Sequence, residues 1–127
     1  MNRPAMIQPF LPSIQQEGEF SFIFVDGNFS HALIKKAAKG DYRIQSLYGG
    51  TETAIDPPDH DRQCAATVLD ALPFEIPLYA RIDMVRGDND ALLLMEAELI
   101  EPYLYPVQGP ELGRLVAKAA DTRVHRS

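Results

Sequence analysis

The stretch LYARIDMVRGDNDALLLMEAEL, residues 78–99, reads as two β-strands around a turn. Leu78–Val85 and Leu92–Leu99 are the strand-like runs, and Gly87-Asp88-Asn89-Asp90 between them is rich in turn-forming residues, so antiparallel pairing is expected. Strand side chains alternate faces, which puts Arg81 and Asp83 on one face and Glu96 and Glu98 together on another. In either in-register pairing that the turn allows, these faces coincide and Asp83 lies opposite or diagonal to Glu96. Two or three carboxylates could then hold one cation, with a guanidinium beside it. Such crowding is costly unless something bound there neutralises it.

Upstream, Glu19–Val25 and Asn28–Lys36 flank Asp26-Gly27, a strong local hairpin signal. A type I′ turn at that pair sets a register with Phe20, Phe22, Phe24, Phe29, His31, Leu33 and Lys35 on one face. Ser21, Ile23, Val25, Ala32, Ile34 and Lys36 fall on the other. Both faces carry apolar groups, so the sheet is expected to be covered on both sides. Ala5–Pro12, a short apolar stretch broken by prolines, suits an edge strand running into an extended linker. Residues 37–58 show little periodicity and read as a long loop of the kind that usually carries function. Asp59 or Asp61 can cap a helix whose apolar positions are Cys64, Ala65, Val68, Leu69 and Leu72, and Pro73 stops it. Gly109-Pro110-Glu111 opens a second helix with Leu112, Leu115, Val116 and Ala119 as its apolar stripe.

Composition bounds the reading. A chain of 127 residues that is 46% hydrophobic fits one domain with a core. Its net charge of −6 argues against a phosphate-backbone binder, so nucleic acid is not expected as a partner. The single cysteine, Cys64, excludes a disulfide framework and a thiolate metal cluster and fits a reducing cytoplasm. No apolar run reaches transmembrane length and no signal-peptide core follows Met1, so neither membrane insertion nor export is expected.

Standing alone, Asp83, Glu96 and Glu98 also fit the solvated face of a ribbon, with Leu93, Met95, Ala97 and Leu99 turned to the core. Against that, Leu92 and Leu94 are expected on the carboxylate face, and Arg81 can pair with a carboxylate or phosphate but cannot lose its charge. Hard oxygens without His or Cys partners suit magnesium or manganese shared with substrate phosphates, the chemistry of phosphoryl transfer. Lys35, Lys36, Arg43 and Gly49-Gly50 could add a phosphate or carboxylate cradle beside it. His31 reads as a satisfied face residue.

The succession Ala5–Pro12, Val25-Asp26-Gly27, Gly40–Gln45, Gly49-Gly50, Tyr79–Asp83 and Met95–Pro102 resembles, in order and spacing, the C-terminal part of an ATP-grasp ligase. Glutathione synthetases, ribosomal-protein glutamate ligases and D-alanine ligases share that succession. The resemblance implies an α+β fold, a largely antiparallel sheet with two flanking helices. It treats residues 1–127 as a single partial domain: a hinge segment, 5–12, and the C-terminal subdomain, 13–127. It further implies that Asp83, Glu96 and Glu98 hold magnesium or manganese bridging the ATP phosphates, with Glu98 where the family usually has asparagine. Arg81 would stabilise the transferring phosphoryl group. Arg43 and Lys35 match basic positions near phosphates or substrate, Gln8, Pro9, Phe10 and Leu11 resemble the hinge that meets the adenine, and Glu19 lies on the strand after it. The implied partners are ATP, a small carboxylate and an amine, joined through an acyl phosphate. Because the resemblance begins at the hinge, a fragment or one half of a split enzyme is expected, completed by a separate chain and inactive alone. A non-catalytic interaction module that kept the fold is the alternative.

Overall fold

The computed structural model describes residues 18–36, 50–87, 90–100 and 102–126. Five strands form one sheet: β1 (Glu19–Val25), β2 (Asn28–Lys36), β3 (Thr51–Ile55), β4 (Tyr79–Arg86) and β5 (Leu92–Glu98). Their order is β3-β2-β1-β4-β5, and each neighbouring pair is antiparallel. The helices are α1 (Asp59–Asp70) and α2 (Leu112–Arg126). This is the α+β architecture expected, with β3 emerging from the segment read as a loop. The proline-rich start and residues 37–49 lie outside the described residues, and with them the expectations for Gln8, Pro9, Phe10, Leu11 and Arg43.

Alternation along β1 builds the two cores. Phe20, Phe22 and Phe24 point to one face, where they pack with Ala32, Ala80, Ile82, Met84 and Leu92 under Ala65 and Leu69 of α1. At roughly 2 kcal/mol for each phenylalanine buried, this face supplies much of the driving force for folding. Ile23 and Val25 point the other way and pack with Leu33, Tyr105, Leu112 and Ala119 beneath α2. The sheet is therefore covered on both faces, as its sequence requires.

Asp26 and Gly27 both have positive φ, 51° and 82°, which is the type I′ geometry predicted for the first hairpin. Beyond the turn a β-bulge intervenes: Phe24 pairs with Phe29 but Ile23 pairs with His31, so Ser30 is the extra residue. The bulge overturns the predicted facing of β2. His31, Leu33 and Lys35 share a face with Ser21 and Ile23, while Ala32 and Ile34 join the phenylalanines. A second bulge in β5 makes Met95 the extra residue, since Asp83 pairs with Glu96 but Met84 with Leu94. Leu92 and Leu94 thus lie on the α1 face with Met84 and Arg86, not on the carboxylate face as expected, and Leu93 lies opposite Val85.

Neither Asp59 nor Asp61 caps α1. Pro58 is the N-cap, without a side-chain cap hydrogen bond. Asp61 is buried in the first turn and accepts from the Arg86 guanidinium at 3.0 and 3.3 Å, which holds its carboxyl below the usual carboxylate range. This pair fastens α1 to β4. Arg123 on α2 likewise donates to Asp26 at the first turn (2.9 Å from Nε) and to the Ile76 carbonyl (2.9 Å). Asp61→Ala removes the buried acceptor facing Arg86 and is expected to lower stability by about 3 kcal/mol in urea unfolding, whereas Asp59→Ala, at an exposed position, changes it by less than about 1 kcal/mol.

Candidate active site

The two bulges set the site. With β2 and β5 each shifted by one residue, the α2 face of the sheet carries cross-strand rows in which Lys35 lies beside Glu19, Leu33 beside Ser21, Asp83 and Glu96, and Ile23 beside Arg81 and Glu98. Without Met95 as the extra residue, the register at the turn would place Glu96 on the α1 face. Asp83 and Glu96 are directly opposite, and so are Arg81 and Glu98.

Asp83 is the centre. It is 2% exposed, and its Oδ1 accepts from the Ser21 hydroxyl at 2.6 Å. Arg81 donates from Nε to Oδ1 and Oδ2 (3.1 and 3.2 Å) and from Nη2 to Oδ2 (2.9 Å). Lys35 Nζ stands 3.7 Å from Oδ1 and 2.7 Å from Glu19. Burial alone would pull Lys35 and Arg81 down. The charges of Asp83 and Glu19 around Lys35, and the hydrogen bonds and charge of Asp83 at Arg81, outweigh it and raise both, so the two groups remain cationic. The guanidinium also donates to the Tyr103 carbonyl at 3.2 Å and lies 4.0 Å from Glu96.

Glu96 is exposed at the open side of this cluster. A hydrogen bond with Glu98, partial burial, and the negative charges of Glu98 and Asp83 raise its pKa to about 7, against the pull of Arg81. A carboxyl held protonated this way has positive charge missing from its surroundings, and a hard divalent cation with oxygen ligands is what the donor set suits. Among the described residues no three His, Cys, Asp or Glu side chains close around an ion by themselves. The fit is therefore to an ion that keeps water or phosphate ligands, not to an all-protein cage. For Asp83 to join it, Arg81 would have to release one of its contacts.

The structure thus brings together Arg81, Asp83, Glu96, Glu98, Lys35 and Glu19. Two participants went unassigned in the sequence. Ser21, read from the sequence only as a strand-face residue, is a buried donor to Asp83; Tyr105, whose ring lies 5.6 Å from Lys35 Nζ and 5.8 Å from the Arg81 guanidinium carbon, carried no local signal beyond being an aromatic residue beside Pro106. His31 is a satisfied structural residue. Its Nε2 bonds the carbonyls of Leu104 (2.9 Å) and Tyr105 (3.1 Å), Ser30 Oγ meets Nδ1 at 2.8 Å, and burial lowers its pKa. A pocket of about 200 Å³ between the first turn and α2, lined by Val25, Asn28, Leu115 and Thr122 among others, contains none of the charged cluster.

A cluster of cations and carboxylates on one face of a five-stranded antiparallel sheet, with a helix packed on each face, is the α+β arrangement that the comparisons with known proteins place in a family. No family model matches the chain. It is 34% identical over 107 residues to the cycloserine biosynthesis protein DcsG of Streptomyces lavendulae, covering 78% of this chain and 35% of that protein. It is 31% identical over 84 residues to a glutathione synthetase of Parasynechococcus marenigrum, covering 66% and 27%. The crystal structure of the D-cycloserine synthetase DcsG superposes with a TM-score of 0.77 at 29% identity, over 91% of this chain and 41% of that one. The fold is shared with D-alanine–D-alanine ligase from Bacillus anthracis complexed with ATP (TM-score 0.58, 19% identity, 84% and 36% covered). It is shared too with the ATP-grasp ligase PsnB, complexed with a precursor variant, Mg and ADP (0.53, 16%, 80% and 33%). The chain belongs to the ATP-grasp ligase family and spans between about a quarter and about a third of the length of the curated relatives it matches.

The raised pKa of Glu96 has a definite sign. Protonated Glu96 is favoured in the folded state, so its contribution to stability is full below the unfolded value near 4.5 and is lost as pH rises through about 7. Carboxyl NMR of the metal-free protein is expected to give a Glu96 midpoint near 7, and Glu98→Gln is expected to move it down towards 4.5.

Proposed function

We propose that this chain is the magnesium- and nucleotide-holding portion of an ATP-grasp carboxylate–amine ligase, working in the cytoplasm. ATP would phosphorylate a small carboxylate, and an amine would attack the acyl phosphate. Kinship with DcsG and the glutathione synthetases supports a ligase, and fold neighbours that hold ATP or Mg with ADP support the nucleotide and metal. The observation that carries the reading is the row Ser21–Asp83–Glu96 beside Arg81–Glu98, which sets cations and carboxylates together on one face of the sheet, with Glu96 exposed at its open side.

Each residue has a distinct task. Glu96 and Glu98 offer hard oxygens at the open side, with Asp83 able to join them once Arg81 turns to substrate. When bound there, magnesium would offset charge on the phosphate oxygens. Arg81 would face the transferring phosphoryl group with a charge that no working pH removes. Lys35, kept cationic by Asp83 and Glu19, adds a second fixed positive charge. Gln8, Pro9, Phe10 and Leu11 would meet the adenine and Arg43 the substrate. Nucleotide would be fully enclosed only with the rest of the relatives' length, supplied in the same chain or by a second one.

Isothermal titration of the chain with ATP is expected to give heat in magnesium and at least about tenfold weaker binding without it. Glu96→Ala and Arg81→Ala should each weaken magnesium-dependent binding by about tenfold or more. Unchanged binding in both variants would remove the site assignment. No binding by the unaltered chain would favour the non-catalytic module instead.

A further inference from the structure

Tyr105 sits in an unusual backbone position for its residue type. Its φ is +53°, a left-handed conformation that is strained for a bulky residue and persists where surrounding structure imposes it. That structure is visible. The imidazole of His31, rooted in the middle of β2, bonds the carbonyls of Leu104 and Tyr105. Gly109 lies against the same ring so closely that a Cβ there would come within 2.3 Å of it. Gln108 donates to the Glu52 carbonyl of β3 at 3.1 Å, which ties the segment to the far edge of the sheet. The segment 102–109 is thus fastened across the sheet at several points, at the cost of one strained tyrosine.

The fastening has a result beyond filling the core. The Tyr105 ring is 8% exposed and reaches both cations of the site, 5.6 Å from Lys35 Nζ and 5.8 Å from the Arg81 guanidinium carbon, within the ~6 Å over which a ring attracts a cation. The Tyr103 ring packs edge-on against it at 4.6 Å, and the Tyr103 carbonyl accepts from Arg81 at 3.2 Å. Two like charges drawn to one carboxylate repel each other, and a desolvated aromatic face is a neutral group that can hold both. We propose that Tyr105 is a positioning residue: its ring, locked by His31, fixes the Arg81 guanidinium and the Lys35 ammonium against Asp83 so that both charges are in place before nucleotide arrives. What those charges do rests on the ligase reading, whereas their positioning does not.

The test uses the whole chain, labelled with ¹⁵N, and replaces Tyr105 with Phe or with pentafluorophenylalanine. The latter keeps nearly the same ring shape and inverts its charge distribution. Exchange of the Arg81 Nε–H with water is expected to be unaltered in Tyr105→Phe and at least about tenfold faster with the fluorinated ring, at equal backbone spectra. Equal exchange with both rings would overturn the proposal, as would Tyr105→Phe losing as much protection as Tyr105→Leu. Magnesium–ATP titration of the same samples separates the two readings. If the unaltered chain binds, the fluorinated variant should bind about tenfold more weakly, and equal affinity would remove Tyr105 from the site. If the unaltered chain does not bind, the nucleotide-holding role proposed for it fails and the exchange result alone decides the positioning.

Discussion

The carboxylate of Asp83, 2% exposed in the middle of a sheet, could not remain there without donors around both oxygens. They come from three strands: Ser21 on β1, Arg81 on β4 itself and Lys35 on β2. Lys35 is answered in turn by Glu19, and Arg81 by the Tyr103 carbonyl. The demand of one buried charge therefore organises five residues. Among the described residues no buried side-chain nitrogen or oxygen lacks a hydrogen-bond partner, so the network is closed on the protein side and opens to solvent through Glu96. A group that must be compensated in the folded state is also a group that holds its neighbours in place.

Much of this frame was legible in the sequence. Asp26-Gly27 announced a type I′ turn and it is one; the apolar positions of α1 and α2 match those the pattern marked, and Asp83, expected opposite or diagonal to Glu96, lies opposite it, though only because a bulge intervenes. What the sequence concealed was the pair of bulges. Strands buried on both faces carry apolar residues at every parity, so Phe29-Ser30-His31-Ala32-Leu33 fits either facing equally well and nothing local marks Ser30 as the extra residue. The same ambiguity put Leu92 and Leu94 on the wrong face. The bulges matter because they assemble the charged cluster: one turns Lys35 towards Asp83 and the other turns Glu96 and Glu98 to the same side.

The other concealed feature is non-local. A tyrosine at positive φ, held by a histidine 74 residues away, has no signature in spacing or composition, since the reason for its conformation lies in another strand. Likewise Asp61 and Asp59 look alike as first-turn acids, and only the position of Arg86 on β4 decides that one is a buried anchor and the other a surface charge. Local patterns chose the elements, whereas the partners of individual charges were fixed by tertiary packing.

Where a metal–nucleotide complex settles on the sheet decides whether the charged cluster is the site. Manganese in place of magnesium, with ADP, allows this to be read directly by paramagnetic broadening in the amide spectrum of the chain. Broadening centred on Arg81, Asp83, Glu96 and Glu98, fading along β1 and leaving α1 sharp, is the predicted result. Broadening centred on the pocket between the first turn and α2, or none at saturating nucleotide, would contradict it.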